Sequence, residues 1–506
     1  MRMRFLAFCA AQRGRRAALL AAALGALSAA ALPPVHALPV LLVALPGLLL
    51  LIGGQNGLRP AAWCGFWFGF GQHLFGLYWI TEAILVEIDR FWWLVPFAVP
   101  MTAVVLGLFT AAACALARRA APGLPRAATL AGALVFADLG RQFVATGFPW
   151  NLWGSVWAVP GGIGDVMLQP AAWIGVHGLS LLTLLVAASP ALGGRAMAAS
   201  CGGLLLWIGA GEWRLRTAAV SPAPGLTVVL VQGNVAQGQK QDRAMGEATF
   251  DRELALTVAG VTGIAGPAVV VWPETASPYL LEVDANARAA IAAASGHPAL
   301  VGSVRFDADR RPRNSLMAIT GAGPPAAIYD KWHLVPFGEY QPSWMPLPIQ
   351  VVPGGGFAAG PGPRSLHVPG LPAVGAMICY EAIFPGQAVD ETDRPDWLVN
   401  VTNDAWFGNS SGPRQHLAAV RMRAVETGLP VMRAANTGIS AGFDALGREL
   451  GRIGMNRAGS LALVLPGHLP MPLFARAGLL LPLLLAAMLT SPAISPRRIL
   501  RNDNKN

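Results

Sequence analysis

The sequence predicts a multi-pass α-helical membrane domain of about eight spans that carries one α/β domain. Three observations lead to this fold class. Apolar residues make up 54% of the 506 residues and charged residues only 13%, about half the roughly 25% that soluble domains use. Long hydrophobic runs follow one another through the first part of the chain, and one more lies near its end. Between them is a polar stretch in which short β-branched runs alternate with helical patterns.

The hydrophobic runs divide the chain into three parts. Residues 1–212 hold the first seven predicted spans, residues 213–470 form the α/β domain, and residues 471–506 hold the last span and a tail. Most runs reach the roughly 20 apolar residues that are needed to cross the hydrocarbon core of a bilayer. The predicted spans are 17–34, 38–54, 62–86, 92–117, 124–144, 166–190, 197–212 and 471–491.

Basic residues predict the orientation of these spans, because short cytoplasmic loops are enriched in Lys and Arg. With the N-terminus in the cytoplasm, the cytoplasmic segments carry 14 Lys and Arg, and the outer segments carry five. The Arg118-Arg119 and Arg497-Arg498 pairs then both lie in the cytoplasm, and omitting one span would place them on opposite sides. The α/β domain is therefore expected outside the cytoplasm.

The first hydrophobic run has a second interpretation. Its arginine-rich start, its apolar middle and the segment Val35-His36-Ala37 resemble a cleavable signal peptide. Either interpretation leaves the next loop outside the cytoplasm, so both stay open at this point.

The distribution of charge excludes a nucleic-acid-binding role, even though the formal net charge is +10. Residues 217–465 hold 18 Lys and Arg against 20 Asp and Glu, so the polar part is slightly acidic. The positive excess lies in short clusters between hydrophobic runs, which is typical of membrane topology and not of a groove that follows phosphates. The sequence has no glycine-rich phosphate loop, and no cofactor is expected.

The polar stretch has the pattern of an α/β domain. Its β-branched runs end at turn residues and alternate with helical stretches, which predicts a central sheet covered by helices. The predicted strands are Leu226–Val231, Ala268–Trp272, Ala299–Val304, Leu316–Thr320, Ala373–Ile378 and Trp397–Val401. The predicted helices are Arg243–Val258, Ala285–Ala294 and Pro413–Thr427.

Chemically reactive side chains follow three segments of this domain. Glu274 comes just after the strand Ala268–Trp272, and Cys379 directly follows the strand Ala373–Ile378. Lys331 lies between them and is one of three lysines in a chain that has 34 arginines. A need for a compact ammonium, which a planar guanidinium cannot replace, would explain a lysine there. A carboxylate, an ammonium and a thiol at segment ends together predict an acyl-transfer site.

The use of cysteine agrees with this prediction. Cys9, Cys64, Cys114 and Cys201 lie in or beside hydrophobic runs, where cysteine serves as a small apolar residue. Cys379 is the single cysteine of the outer domain, so no disulfide can form within that domain despite an oxidising location. An unpaired thiol in that place needs an explanation, and a functional role and a buried, inert cysteine are the two alternatives.

The segments around these residues resemble known motifs. VWPETASP, YDKWHLVPFGEYQP and MICYEAIFP resemble the Glu-Lys-Cys signatures of the nitrilase superfamily. NDAWFG and SGPRQHLAAVRMRAVETGLPVMRAANTG, with eight flanking spans, narrow the resemblance to the apolipoprotein N-acyltransferases of the bacterial inner membrane. The resemblance covers nearly the whole chain, although the membrane part is similar mainly in span count and in GFPWN at 147–151.

The resemblance implies a four-layer α-β-β-α domain on a membrane base, located on the periplasmic side of the inner membrane. It implies that an acyl chain moves from a phospholipid, commonly phosphatidylethanolamine, through a cysteine thioester to a protein amine. The acceptor is the N-terminal amine of a diacylglyceryl-cysteine apolipoprotein, and this transfer is the last step of lipoprotein maturation. The partners are then membrane phospholipid and apolipoprotein, and a monomer is expected.

The resemblance also implies a role for each residue of the motifs. Glu274 is the general base, and Cys379 is the nucleophile that forms the thioester. Lys331 donates to the tetrahedral oxyanion, and its charge lowers the pKa of the thiol. Glu339, eight residues further on, orients Lys331 or the base.

Further residues are expected to support the site. Tyr380 and Glu381 shape the pocket, and their backbone amides are candidate oxyanion donors; simple packing and a surface position are the alternatives. The loop Gln341–Phe357 carries Trp344 among prolines and glycines. An apolar loop of this kind indicates contact with membrane or substrate and a lid that opens and closes, and a core-packed loop is the alternative.

Two other functions fit parts of the pattern. A membrane-anchored amidase or nitrilase-type hydrolase of small amides would share the three residues but would not need eight spans. A transporter with an inert outer domain would need paired ionisable groups within its spans, and Asp138, Arg141 and Asp165 are the deep candidates. His333 and His416 lack ligand spacing with other His or Cys residues, so no metal is expected.

Overall fold

The protein is described by a computed structural model that covers residues 2–241, 243–343 and 356–494. It consists of a helical part, formed by the two ends of the described chain, and an α/β domain between them. Trp344 and most of the loop Gln341–Phe357 lie outside the described residues.

Helices lie in every hydrophobic run of the sequence. Two of them, over Ala98–Arg119 and Ala171–Ala191, are long and apolar enough to cross a membrane, and two shorter helices are similarly apolar. The eight-span arrangement therefore stays a prediction. In the described residues, the helices before the α/β domain are α1 (Arg2–Ala11), α2 (Gly14–Ala29), α3 (Leu41–Gly54), α4 (Leu58–Gly76), α5 (Ile80–Leu85), α6 (Ile88–Phe91), α7 (Ala98–Arg119), α8 (Leu124–Phe143), α9 (Gly162–Met167), α10 (Ala171–Ala188) and α11 (Gly194–Thr217).

The α/β domain is built from two six-stranded sheets with helices outside them. Within the described residues its helices are α12 (Gln237–Gln241), α13 (Gly246–Val261), α14 (Ala285–Ser295) and α15 (Gly412–Thr427), and after it α16 (Leu473–Ala477) and α17 (Leu480–Ile494) return to the helical part. Its strands are β1 (Thr227–Gln232), β2 (Ala268–Val271), β3 (Ala299–Phe306), β4 (Pro312–Ile319), β5 (Ala327–Asp330), β6 (Ser365–Leu366), β7 (Val374–Ile378), β8 (Trp397–Thr402), β9 (Val431–Ala435), β10 (Ser440–Phe443), β11 (Glu449–Ile453) and β12 (Gly459–Val464).

The two sheets share one plan. Their strand orders are β12-β1-β2-β3-β4-β5 and β11-β10-β9-β8-β7-β6. In each sheet three parallel strands lie at the centre, β1-β2-β3 in the first and β7-β8-β9 in the second, and antiparallel strands flank them. Because the carboxyl ends of parallel strands meet at one edge of a sheet, the residues that follow β2, β7 and β8 lie at such edges.

The layers follow from which face of each strand is apolar. One core forms between the sheets, where residues such as Leu230 and Val271 of the first sheet meet Ile378 and Val401 of the second. A second core joins the outer face of the first sheet to α13 and α14. A third joins the outer face of the second sheet to α15. These layers confirm the α-β-β-α sandwich that the resemblance implied.

Helix α15 is buried on two sides, because its second face packs against the helical part. Met422 and Val425 on this face contact a cluster that includes Leu168 and Val176. α10 is interrupted nearby at Gly175, whose φ of 64° lies outside the helical region. The break frees the backbone N–H of Val176, which donates to Oε1 of Glu426 in α15 at 2.7 Å. Apolar packing and a buried hydrogen bond thus fix the domain to the helices.

The sequence prediction found half of the strands. The six predicted strands correspond to β1, β2, β3, β4, β7 and β8, and the three predicted helices correspond to α13, α14 and α15. β4 starts earlier than predicted, at Pro312, and the strands β5, β6, β9, β10, β11 and β12 were missed. The predicted set nevertheless includes β2 and β7, which precede Glu274 and Cys379, whereas β5, which precedes Lys331, was missed.

Candidate active site

Glu274 lies just past the end of β2, and its carboxylate is buried at the junction of the two sheets. Oε1 accepts hydrogen bonds from Nδ2 of Asn314 at 2.7 Å and from Nζ of Lys331 at 3.1 Å. Oε2 accepts a hydrogen bond from the backbone N–H of Asn403, which follows β8, at 2.8 Å. The first sheet and the second sheet therefore hold the same carboxylate.

Lys331 directly follows β5, and its side chain is 1% exposed. Its Nζ donates to Oε1 of Glu274 at 3.1 Å and to Oε1 of Glu339 at 2.9 Å. Asn314 Nδ2 donates to the same two oxygen atoms, so two carboxylates converge on one ammonium and one amide. The preceding residue, Asp330, is fixed by a bidentate contact with Arg305 at 2.8 and 2.7 Å. Such an arrangement holds the ammonium in one place.

Cys379 is the first residue after β7, at the start of a 3₁₀ helix over Cys379–Ile383. Its φ of 50° lies in the left-handed region, which non-glycine residues rarely adopt and which costs of order 1–3 kcal/mol. The residue is 7% exposed. A nucleophile on a sharp strand-to-helix turn presents its side chain past the edge of the sheet, which is where Glu274 also lies.

The charged groups of the site shift one another's pKa. Burial opposes the ionisation of Glu274, but the ammonium of Lys331 and the hydrogen bond from Asn314 outweigh it and hold the pKa of Glu274 below its ordinary value. Burial also disfavours the ammonium, yet Glu274 and Glu339 together hold the pKa of Lys331 well above its ordinary value. A carboxylate and an ammonium are therefore the resting forms at neutral pH.

For the thiol of Cys379, burial outweighs the effect of the neighbouring ammonium on the pKa. Burial raises the pKa of Cys379 far above its ordinary value, and the negative charge of Glu274 raises it further. Lys331 lowers this pKa, as expected from the sequence, but by less than burial and Glu274 raise it. Cys379 is therefore a neutral thiol at rest, and a base must take its proton as it attacks.

The raised pKa predicts how Cys379 reacts with a small alkylating reagent. Because only the thiolate is nucleophilic, the rate of alkylation by iodoacetamide should keep rising from about pH 6 to about pH 10 without a plateau. A small-molecule thiol measured in parallel should level off above its own pKa of about 8.5. Peptide mass spectrometry resolves Cys379 from the other four cysteines. A plateau below about pH 8 would contradict the neutral resting thiol.

Glu381 is buried and holds backbone rather than facing solvent. Its Oε1 accepts hydrogen bonds from the backbone N–H groups of Trp332 at 2.7 Å and His333 at 3.3 Å. Its Oε2 accepts from the backbone N–H of Ile378 at 2.6 Å and from the hydroxyl of Tyr329 at 3.0 Å. Glu381 therefore connects the segment of the lysine to the turn of the cysteine, which argues against the alternative of a surface position.

The helical part contacts the nucleophile turn directly through residues 146–151. The hydroxyl of Tyr380 donates to the carbonyl oxygen of Gly147 at 2.7 Å. Nε2 of His333 donates to the carbonyl oxygen of Thr146 at 3.0 Å. Both contacts join residues beside the candidate catalytic groups to a loop of the helical part, so the site is supported by both parts of the protein.

The structure therefore brings most of the predicted site residues together. Glu274, Lys331 and Glu339 are in direct hydrogen-bonding contact, and Cys379 lies within electrostatic reach of Glu274 and Lys331. Tyr380 and Glu381 flank the nucleophile. Trp344 lies outside the described residues.

Sequence reasoning missed three residues that touch Glu274. Asn314 and Asn403 contact its carboxylate, and Nζ of Lys240 donates to its carbonyl oxygen at 2.9 Å and to Oγ1 of Thr275 at 3.1 Å. The scarcity of lysine in the sequence was a usable signal for Lys240. The two asparagines carry no comparable signal.

A metal ion would need a cluster of His, Cys, Asp or Glu side chains to hold it. In residues 2–241, 243–343 and 356–494, no group of three or more His, Cys, Asp or Glu side chains could hold one. A carboxylate, an ammonium and a thiol are groups that can act as a base, an oxyanion donor and a nucleophile.

Comparison with known protein families supports an assignment. Residues 24–189 match the family described as the apolipoprotein N-acyltransferase N-terminal domain. Residues 230–464 match the carbon-nitrogen hydrolase family. The first match covers most of the helical part before the α/β domain, and the second covers nearly all of the α/β domain.

Solved structures similar to this chain cover about half of it. An amidase of the nitrilase superfamily from Nesterenkonia is 19% identical, with a TM-score of 0.36, over 49% of this chain and 93% of the amidase. Nit3 of Saccharomyces cerevisiae, also of the nitrilase superfamily, is 17% identical, with a TM-score of 0.38, over 49% of this chain and 93% of its own.

Relatives that are similar over most of their length extend the match to about nine tenths of the chain. An apolipoprotein N-acyltransferase of Bradyrhizobium diazoefficiens is 39% identical over 498 residues, which is 92% of each chain. Another, from Allorhizobium ampelinum, is 40% identical over 481 residues, 88% of this chain and 89% of its own. These matches confirm the resemblance that the motifs indicated. The chain belongs to the apolipoprotein N-acyltransferase family.

Proposed function

We propose that this acyltransferase moves an acyl chain from a membrane phospholipid, through a thioester on Cys379, to the N-terminal amine of a diacylglyceryl-cysteine apolipoprotein. Phosphatidylethanolamine is the proposed donor. The observation that carries the proposal is the convergence of Glu274, Lys331 and Cys379 beside a loop of the helical part. A site in this place can receive a substrate whose acyl chains remain in the bilayer.

The chemistry follows from the resting charges of the three groups. Glu274 takes the proton of the Cys379 thiol as the sulfur attacks the ester carbonyl, and Lys331 donates a hydrogen bond to the tetrahedral oxyanion. The lysophospholipid alkoxide leaves with the proton that Glu274 holds. The acceptor amine then attacks the thioester, Glu274 takes a proton from it, and the thiol is restored. Glu339 positions Lys331 throughout.

Burial of the three groups favours transfer over hydrolysis. Cys379 is 7% exposed, Glu274 is 6% exposed and Lys331 is 1% exposed. A thioester held in such a site meets few water molecules, so the amine of a bound acceptor is the competent nucleophile.

We propose that the protein acts as a monomer in the inner membrane, with residues 213–470 as the periplasmic catalytic domain.

The direct test is the state of a lipoprotein N-terminus with and without this protein. A strain depleted of the protein should accumulate lipoprotein whose N-terminal cysteine carries diacylglycerol but a free amine. Re-expression should add the mass of one acyl chain to that amine, as measured by mass spectrometry of the N-terminal peptide. Complete N-acylation in the depleted strain would contradict the proposal.

The two rival functions have less support. The comparisons support a small-amide hydrolase no better than an acyltransferase. A hydrolase of small amides would also not need a site that contacts residues 146–151 of the helical part. A transporter would use its buried charges for transport. Here Asp138 is paired with Arg141 at 2.6 Å, and Arg141 also donates to the carbonyl oxygen of Trp150 at 3.2 Å. This pair fixes the loop that supports the active site.

The proposed topology predicts which side of the membrane each segment occupies. A reporter that is active only in the periplasm should be active when fused at Leu300 and inactive when fused at Pro122. A reporter that is active only in the cytoplasm is the matched control and should give the opposite result at both positions. Periplasmic activity at Pro122 together with cytoplasmic activity at Leu300 would exclude the eight-span arrangement.

A further inference from the structure

A buried histidine contacts the backbone of the nucleophile. Nε2 of His416, in α15, lies 2.9 Å from the carbonyl oxygen of Cys379, and His416 is 0% exposed. A carbonyl oxygen can only accept, so Nε2 carries the proton and donates it. The bond joins the helix that packs on the helical part to the turn on which the thiol stands.

His416 is itself held in one orientation by charged and aromatic neighbours. Its Nδ1 lies 3.1 Å from Oδ1 of Asp404 and 3.4 Å from Nη2 of Arg433. Asp404 in turn accepts hydrogen bonds from Arg433 at 2.6 Å and from the hydroxyl of Thr402 at 3.0 Å. The ring of Trp150, from the helical part, lies 5.6 Å from the imidazole ring between centroids. The imidazole ring is therefore unable to turn away from the carbonyl.

The orientation of this carbonyl determines the direction of the next backbone N–H. In a planar trans peptide the C=O of Cys379 and the N–H of Tyr380 point in opposite directions. With the oxygen fixed on His416, the N–H of Tyr380 points in the opposite direction, away from His416. The φ of 50° at Cys379 is strained, and the hydrogen bond from His416 opposes the rotation of the peptide that would relieve the strain.

We infer that His416 is a positioning residue that aims the backbone N–H of Tyr380 at the oxyanion formed during acyl transfer. The inference rests on the proposed function, in which Cys379 is the acylated nucleophile. His416 acts through the peptide and touches no substrate. It follows that His416 matters for attack on a carbonyl, which creates an oxyanion, and not for alkylation of the same thiol, which creates none.

Two amide substitutions of His416 test whether the hydrogen bond donated at the position of Nε2 is what matters. His416→Gln places an amide N–H where Nε2 stands and keeps the bond to the Cys379 carbonyl. His416→Asn is shorter, so its amide reaches only as far as the position of Nδ1. Two rates are measured for the full-length protein in each case: acylation of Cys379 by phosphatidylethanolamine vesicles, and alkylation of Cys379 by iodoacetamide.

His416→Asn should slow acylation about 10- to 100-fold, somewhat less than the loss of an oxyanion donor itself. It should change alkylation by less than about twofold, because that reaction needs no oxyanion donor. His416→Gln should recover most of the acylation rate. His416→Met, which is apolar and has no donor, replaces the Asn variant if that variant does not fold, and should behave in the same way.

Each result decides between the alternatives. Equal losses of acylation and alkylation would mean that His416 supports the thiol or the fold, and the inference would be wrong. Unchanged acylation in His416→Asn, or in His416→Met where it replaces the Asn variant, would also overturn it, as would failure of His416→Gln to exceed the rate of that variant. If the unsubstituted protein is not acylated at Cys379, the proposed function fails instead, and this outcome is seen before any variant is made.

Discussion

Protein incubated with phosphatidylethanolamine and without an acceptor is expected to gain the mass of one acyl chain on Cys379. The two substrates are both lipids, and holding both beside one thiol would require two lipid grooves that meet at the same point. A double displacement avoids this requirement, because the acyl chain waits on the thiol while the lysophospholipid leaves. The buried position of Cys379 protects the thioester from water during that time.

The chemistry of the adduct identifies the residue and the bond. Hydroxylamine should remove the added mass, because it cleaves thioesters under mild conditions. Cys379→Ala should never acquire the mass and should lose at least about a thousandfold in transfer activity. Cys379→Ser is the closer variant, and its oxyester should transfer poorly because an alkoxide is a worse leaving group than a thiolate. Cys201→Ala is the matched control, since that exposed cysteine lies far along the chain in α11.

Glu274→Gln tests in the same assay whether Glu274 is the base. The thiol is neutral at rest because its pKa is raised, so removal of the base should block formation of the adduct itself. An adduct that forms at the normal rate in this variant would assign the base to another group. Normal product formation without label on any residue would mean that the amine attacks the phospholipid directly.

The sequence was most informative where an apolar strand ends in a reactive residue. β2 and β7 are short, apolar and fully buried, so each could be found; Cys379 directly follows β7, and Glu274 lies shortly after the end of β2. Contacts between distant segments left no such pattern. Asn314 reaches Glu274 across 40 positions and Asn403 across 129, and nothing in a local window distinguishes these asparagines from others.

Several of the missed strands lack the continuous run of buried apolar residues by which a strand is recognised in a sequence. β9 contains Arg433, which is 0% exposed and is paired with Asp404 at 2.6 Å. A buried guanidinium interrupts the apolar pattern by which a strand is recognised, and only the fold reveals the carboxylate that compensates it. β11 and β12 are edge strands in which no residue is buried. The sequence also gave no indication that residues 146–151 contact Tyr380 and His333.

Lys331→Met should give the largest combined loss of stability and activity. Methionine is similar in length to lysine but removes the one cation between Glu274 and Glu339, which are then buried side by side without compensation. Breaking a buried ion pair in this way costs about 3–5 kcal/mol, which corresponds to a fall of roughly 10 °C in the melting temperature. Loss of the oxyanion donor should reduce acylation about 100- to 1,000-fold.

The loss of stability in Lys331→Met should depend on pH. A loss caused only by poorer packing would not. In the unsubstituted protein the pKa of Glu274 lies below its ordinary value, so its charge stabilises the fold above about pH 4.5, and this contribution is lost as pH falls through the folded pKa. In Lys331→Met the pKa of Glu274 should rise above its unfolded value, and the charge then destabilises the fold as pH rises. The difference in melting temperature should therefore be larger at about pH 7 than at about pH 4.5.

A second substitution, added to Lys331→Met, separates the effect of Lys331 on stability from its effect on acylation. Lys331→Met combined with Glu339→Gln removes one of the two uncompensated carboxylates, so the melting temperature should recover in part. Acylation of Cys379 should stay at the level of Lys331→Met, because neither change restores an ammonium to the site. Glu391→Gln, at an exposed glutamate, is the control for loss of a carboxylate alone and should alter neither property. Recovery of acylation together with stability would show that Lys331 acts only by holding the fold, and its assignment as oxyanion donor would then be wrong.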